Sequence, residues 1–180
     1  MSTPKLNLPT LLTLSRIILI PVFIAVVYQH PFWGAIVFSI ASITDFLDGY
    51  FARRSGQVTK FGIILDPLAD KFLVISALVV LVDMARLSAW MAIIIIVREF
   101  LITGLRVVAL SKDIIIPAEM GGKLKIGAQI TAILCLILVG SIFDNLPLDL
   151  YDIGITFVWV ALVLSVISGI QYTVSFWKKV

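Results

Sequence analysis

At 180 residues, 61 % hydrophobic and only 14 % charged, with a mean hydropathy of +1.12, the chain is too apolar for a soluble domain. Its length suits one domain, residues 1–180, of an integral membrane protein, and its net charge of +3 gives no reason to expect a nucleic-acid partner. A single cysteine, Cys135, excludes an internal disulfide, and a single histidine, His30, excludes a His/Cys zinc cluster, so any metal must be held by oxygen.

Six stretches approach the roughly 20 apolar residues that cross a hydrocarbon core. They are residues 8–28, 32–51, 67–84, 89–110, 125–142 and 153–176. Residues 1–7 read as an interfacial lead-in with Lys5 as a headgroup anchor. The first span is too long for a signal peptide, carries Arg16 and lacks a small-x-small cleavage site, so it is expected to stay attached. Pro67 suits the first turn of the third helix.

Charge in the connections orients these spans. Lys5, then Arg53, Arg54 and Lys60, then Lys112, Lys123 and Lys125, then Lys178 and Lys179 all fall on one side if all six spans cross. Arg86 is the lone basic residue opposite, with His30, Asp83, Asp144 and Asp149. Basic loops stay in the cytoplasm. The expectation is an all-α protein of six transmembrane helices with both termini cytoplasmic.

Within this apolar chain stand Asp45, Asp48, Asp66 and Asp70. An ionised Asp at membrane depth costs at least a few kcal/mol, so it is seldom there without a task. Spacings of three and four put each pair on one helix face, near the cytoplasmic end of the second span and the start of the third. Four converging carboxylates repel unless cations neutralise them, and one or two Mg²⁺ or Mn²⁺ ions fit, though ligand type alone does not separate them from Ca²⁺. The bland alternative is a set of interfacial charges paired with Arg53, Lys60 and Lys71. Gly49, Ala52 and Gly62 let a ligand or a neighbouring helix approach the backbone, and Arg53 can clamp a phosphate from the rim. Taken singly, such small residues are also ordinary packing positions.

Together these residues read Asp45-x2-Asp48-Gly49-x2-Ala52-Arg53-x8-Gly62-x3-Asp66-x3-Asp70. This resembles the signature of the CDP-alcohol phosphatidyltransferase family at all eight fixed positions. The resemblance implies a homodimeric membrane enzyme that attacks a CDP-linked lipid with an alcohol and releases CMP. It implies metal on Asp45, Asp48, Asp66 and Asp70, with Asp70 as general base. It also implies a cradle for the cytidine diphosphate from Asp48, Gly49, Ala52, Arg53 and Gly62. The start of the chain matches a donor-lipid segment of the family at Asn7, Pro9, Thr13 and Arg16, but carries Thr10 where relatives often have Asn.

Further segments, Asp66-Pro67-Leu68-Ala69-Asp70-Lys71, Val97-Arg98-Glu99-Phe100, Gly104-Leu105-Arg106 and Gly122-Lys123-Leu124-Lys125, resemble the branch that joins CDP-diacylglycerol to sn-glycerol 3-phosphate. An anionic acceptor fits the charges: Arg98, Arg106, Lys123, Lys125 and Lys60 can form a pocket for its phosphate. The bland alternative pairs Arg98 with Glu99 or a nearby Asp and leaves the lysines as membrane-surface anchors. Other acceptors, inositol phosphate or the phosphatidylglycerol used by a cardiolipin synthase, are the competing readings within the family. Outside it stands a divalent-cation transporter, which should spread its acids across the bilayer and show a repeat. The site is expected to face the cytoplasm from a bacterial inner membrane.

Overall fold

The computed structural model describes residues 8–55, 60–111, 120–141 and 149–178. Six helices lie among them, with no strand: α1 Leu8–Val27, α2 Pro31–Ser55, α3 Lys60–Asp83, α4 Ala89–Ser111, α5 Met120–Leu138 and α6 Leu150–Trp177. Contacts divide the chain into two compact units. One is Met1–Val80 with Ile137–Asn145, and the other is Leu81–Leu136 with Leu146–Val180.

In the first unit α1 and α2 form an antiparallel hairpin. Residues 28–30 turn the chain, closed by His30 N donating to Val26 O at 2.8 Å, and Pro31 opens α2 where a missing N–H costs nothing. Phe23, Val27, Ala35, Phe38 and Ala41 are buried, with the Phe23 and Phe38 ring centroids 5.8 Å apart. Gly34 sets how closely the helices approach: a Cβ built there would lie 2.7 Å from Val27 Cα, in backbone that cannot swing aside. Gly34→Ala should therefore lower the melting temperature in detergent, at an overpacking cost of about 1–3 kcal/mol. Gly104→Ala, where a Cβ meets nothing within 4 Å, should leave it unchanged or raise it. Equal effects of the two would contradict the close approach.

In the second unit α6 packs on α4 and α5. Trp90 and Trp159 meet edge to face at 5.7 Å, and a Cβ at Gly154 would strike Leu136 Cγ at 2.7 Å. Asp149 caps α6, accepting from Tyr151 N at 2.9 Å and Asp152 N at 3.3 Å. Gly140, with φ 74°, follows the end of α5 in the left-handed conformation that a helix terminus favours.

The surface is unlike that of a soluble protein. Ile93, Leu101, Val107 and Ile170 are each more than half exposed, and a continuous apolar exterior of this kind calls for apolar surroundings. Helix hydroxyls turn back to the carbonyl four residues earlier: Ser39 to Ala35, Thr44 to Ile40, Ser76 to Phe72, Thr103 to Glu99 and Thr156 to Asp152. Each hydroxyl is thereby satisfied without water. Among the described residues α6 alone is long and apolar enough by itself to cross a membrane. In α4 three charges, Arg98, Glu99 and Arg106, interrupt the apolar run.

Two helix starts differ most from the sequence expectation. The third helix starts at Lys60 and runs through Pro67, so that proline is interior. The fifth starts at Met120, which puts Lys125 in its second turn instead of at its opening. In both cases the helix continues beyond the apolar window into a polar end, because backbone hydrogen bonding does not depend on side-chain hydropathy.

Candidate active site

The acidic motif lies on two consecutive helices of the first unit. Asp45, Asp48, Gly49, Ala52 and Arg53 belong to α2; Lys60, Gly62, Asp66 and Asp70 belong to α3. Ser55 and Lys60 are joined by residues 56–59, a connection that spans at most about 18 Å. Counted along the helix axes, Asp48 and Asp66 stand about 10 Å and 9 Å from that connection, and Asp45 and Asp70 both stand about 15 Å from it. The two pairs thus stand at nearly equal axial distances from the connection that joins their helices. The side chains of these nine residues, and those of Thr13, Arg16 and Lys123, lie outside the described residues, as does Asn7 altogether. Among the described residues no three His, Cys, Asp or Glu side chains group as a metal site. The motif offers only carboxylate oxygens, from two consecutive helices, and that donor set fits Mg²⁺ or Mn²⁺.

The second unit holds a charged cluster inside the apolar bundle. Arg98 Nε donates to Ser165 O at 2.8 Å and Nη2 to Ser168 Oγ at 2.6 Å, both on α6. Arg98 Nη1 donates to Glu99 Oε1 and Oε2 at 3.4 and 3.3 Å. Glu99 Oε1 also accepts from Lys125 Nζ on α5. Lys125 is only 3 % exposed, so it is no membrane-surface anchor. The expected Arg98–Glu99 pairing is present through Nη1, while α6 engages Nε and Nη2. A carboxylate between two cations is the arrangement that makes a buried charge tolerable.

Arg106, eight residues beyond Arg98 on α4, is exposed, with its guanidinium 5.9 Å from the Tyr172 ring centroid. It is the one described cation of the expected acceptor set that reaches the surface. Arg86, the exception to the charge rule, donates from Nη1 to Leu136 O at 3.0 Å near the end of α5. Its charge there complements the helix C-terminus, a local reason for a basic residue on that side.

Three polar residues that sequence reasoning passed over line the same unit. Ser165 and Ser168 recur at i, i+3 in the apolar middle of α6, a spacing that could have marked them as partners. Gln129 is one turn beyond Lys125; it is 5 % exposed and its Nε2 has no hydrogen-bond partner.

Comparison with known proteins places the chain in a family. The family model for CDP-alcohol phosphatidyltransferases matches residues 6–167. A Bacillus subtilis protein named CDP-diacylglycerol–glycerol-3-phosphate 3-phosphatidyltransferase is 42 % identical, over 96 % of this chain and 96 % of its own length. Proteins of the same name from Rickettsia bellii and Shigella flexneri are 38 % and 39 % identical, covering 92 % and 93 % of this chain and 93 % of their own length in each case.

Proposed function

The chain belongs to the CDP-alcohol phosphatidyltransferase family and is a transferase, and we propose that it transfers the phosphatidyl group of CDP-diacylglycerol to sn-glycerol 3-phosphate, giving phosphatidylglycerophosphate and CMP. The observation that carries the acceptor is the near full-length similarity to relatives named for that reaction. The buried and rim cations of the second unit support a phosphate-bearing acceptor. An acceptor panel tests the choice. Glycerol 3-phosphate should support CMP release well above inositol phosphate or phosphatidylglycerol, and a reversed preference would sink it.

In this reading Asp45, Asp48, Asp66 and Asp70 hold one or two Mg²⁺ or Mn²⁺ ions, which supply charge neutralisation at the diphosphate. Asp48, Gly49, Ala52, Arg53 and Gly62 seat the cytidine diphosphate. The small residues admit it to the backbone, and Arg53 grips a phosphate through paired N–H donors. Asp70 takes the proton of the attacking hydroxyl. That oxygen bonds to the lipid-bearing phosphorus as the bond to the bridging oxygen breaks, and CMP departs with the bridging oxygen. Lys60, Arg98, Arg106, Lys123 and Lys125 hold the acceptor phosphate, while Asn7, Thr13 and Arg16 contact the donor lipid. Arg98 contributes mainly through Glu99 and α6, because its donors are largely engaged there.

Arg106→Ala tests the acceptor assignment. It should raise the apparent KM for glycerol 3-phosphate about tenfold, the order expected for losing a hydrogen bond to a charged group, and move the KM for CDP-diacylglycerol much less. Equal changes in both would point to a structural role.

The chain acts as one domain, a homodimer of six-span subunits in the bacterial inner membrane, with both termini and the site at the cytoplasmic face. The helix count among the described residues supports the six spans and the one-sided basic residues support the orientation, while the dimer is what the family resemblance implies. Labelling of a cysteine placed at Lys178 from the cytoplasmic side only, and a two-subunit mass for the purified protein, are the expected results. Labelling from outside or a monomeric mass would refute the corresponding part.

A further inference from the structure

Glu99 lies outside the acidic motif and touches neither metal nor substrate in the reading above, yet it joins three helices. Its carboxylate accepts from Arg98 Nη1 on its own helix and from Lys125 Nζ on α5, while Arg98 is anchored to Ser165 O and Ser168 Oγ on α6. Serving as a staple is a poor explanation for such a group. Well-packed apolar side chains of similar volume usually stabilise as well as a buried ion pair or better, because both charges must be stripped of water. A lysine also has a long, freely rotating stem, and holding its ammonium at one place needs a fixed anion.

We propose that Glu99 is a positioning residue for the acceptor: through its ion pair it fixes the Lys125 ammonium where that ammonium meets the acceptor's phosphate. The proposal rests on the reading of Lys125 as a ligand of that phosphate. The ammonium carries three donors, so it can keep one on Glu99 and give another to a phosphate oxygen. Lys125 is 3 % exposed, and a charge contact made away from water is stronger than one at the surface. Arg98, locked by α6, keeps the carboxylate itself from rotating away.

The test is a set of four variants, Glu99→Gln, Glu99→Asp, Lys125→Ala and the Glu99→Gln/Lys125→Ala double, with both KM values, kcat and melting temperature measured. Glu99→Gln should raise the KM for glycerol 3-phosphate about fivefold and leave the KM for CDP-diacylglycerol within about twofold. Glu99→Asp, which keeps the charge, should recover part of the loss, and it carries the test if the Gln variant does not fold. The double variant should be no worse than Lys125→Ala alone, because Glu99 acts through that lysine. If the Glu99 effect persists in full on the Lys125→Ala background, or shifts both KM values together with the melting temperature, the positioning role is overturned while the acceptor site stands. If Lys125→Ala leaves the acceptor KM unchanged, the acceptor-site reading falls and the proposal with it.

Discussion

Asp70→Asn is expected to abolish turnover while the protein still inserts in the membrane and still binds CDP-diacylglycerol. Asn is nearly isosteric and remains polar, so the helix and its packing should survive, but it has no lone pair basic enough to take the hydroxyl proton. Loss of a general base costs about 100- to 10,000-fold in rate. Asp70 also belongs to the proposed metal shell, so the loss should sit at or beyond the upper end of that range. The α3 register places it one turn beyond Asp66 in a continuous helix, and this is the basis for separating the two effects. Asp66→Asn should weaken the apparent affinity for metal, and excess Mg²⁺ should restore part of its activity. Asp70→Asn should stay inactive at any metal concentration. Near-normal activity of Asp70→Asn would refute the base assignment.

Chelation of divalent cations should reduce CMP release to background, a loss of more than about 100-fold, and Mg²⁺ or Mn²⁺ should restore it. The expectation follows from electrostatics. A diphosphate and four carboxylates carry too much like charge to share a site unaided, and no imidazole or thiolate accompanies them in the motif. Undiminished turnover in excess chelator would mean that the four aspartates have another task.

The sequence shows these two effects more plainly than it shows the second unit. The acids are legible because helical spacing is local: residues three or four apart share a face whatever surrounds them. The helix count was legible from hydropathy, and the turn at residues 28–30 from His30-Pro31. The start of α3 at Lys60 and of α5 at Met120 was not, because the helices extend through polar segments that no apolar window includes. Glu99 could be paired with Arg98 from adjacency, but its partner Lys125 stands 26 residues away. Arg98's partners on α6 stand about 70 residues away, and only the fold brings them together. Arg86 looked like a violation of the charge rule until its contact with the α5 carbonyl gave it a local role.

The identity of the acceptor is best tested by following its atoms into the product. The purified protein would be given CDP-diacylglycerol, Mg²⁺ and glycerol 3-phosphate labelled in its carbon skeleton, with the lipid product identified by mass and CMP quantified. The expected product is phosphatidylglycerophosphate carrying the intact label, formed in equal amount to CMP and absent without metal. CMP released without labelled lipid, or released as fast with glycerol 3-phosphate omitted, would contradict it.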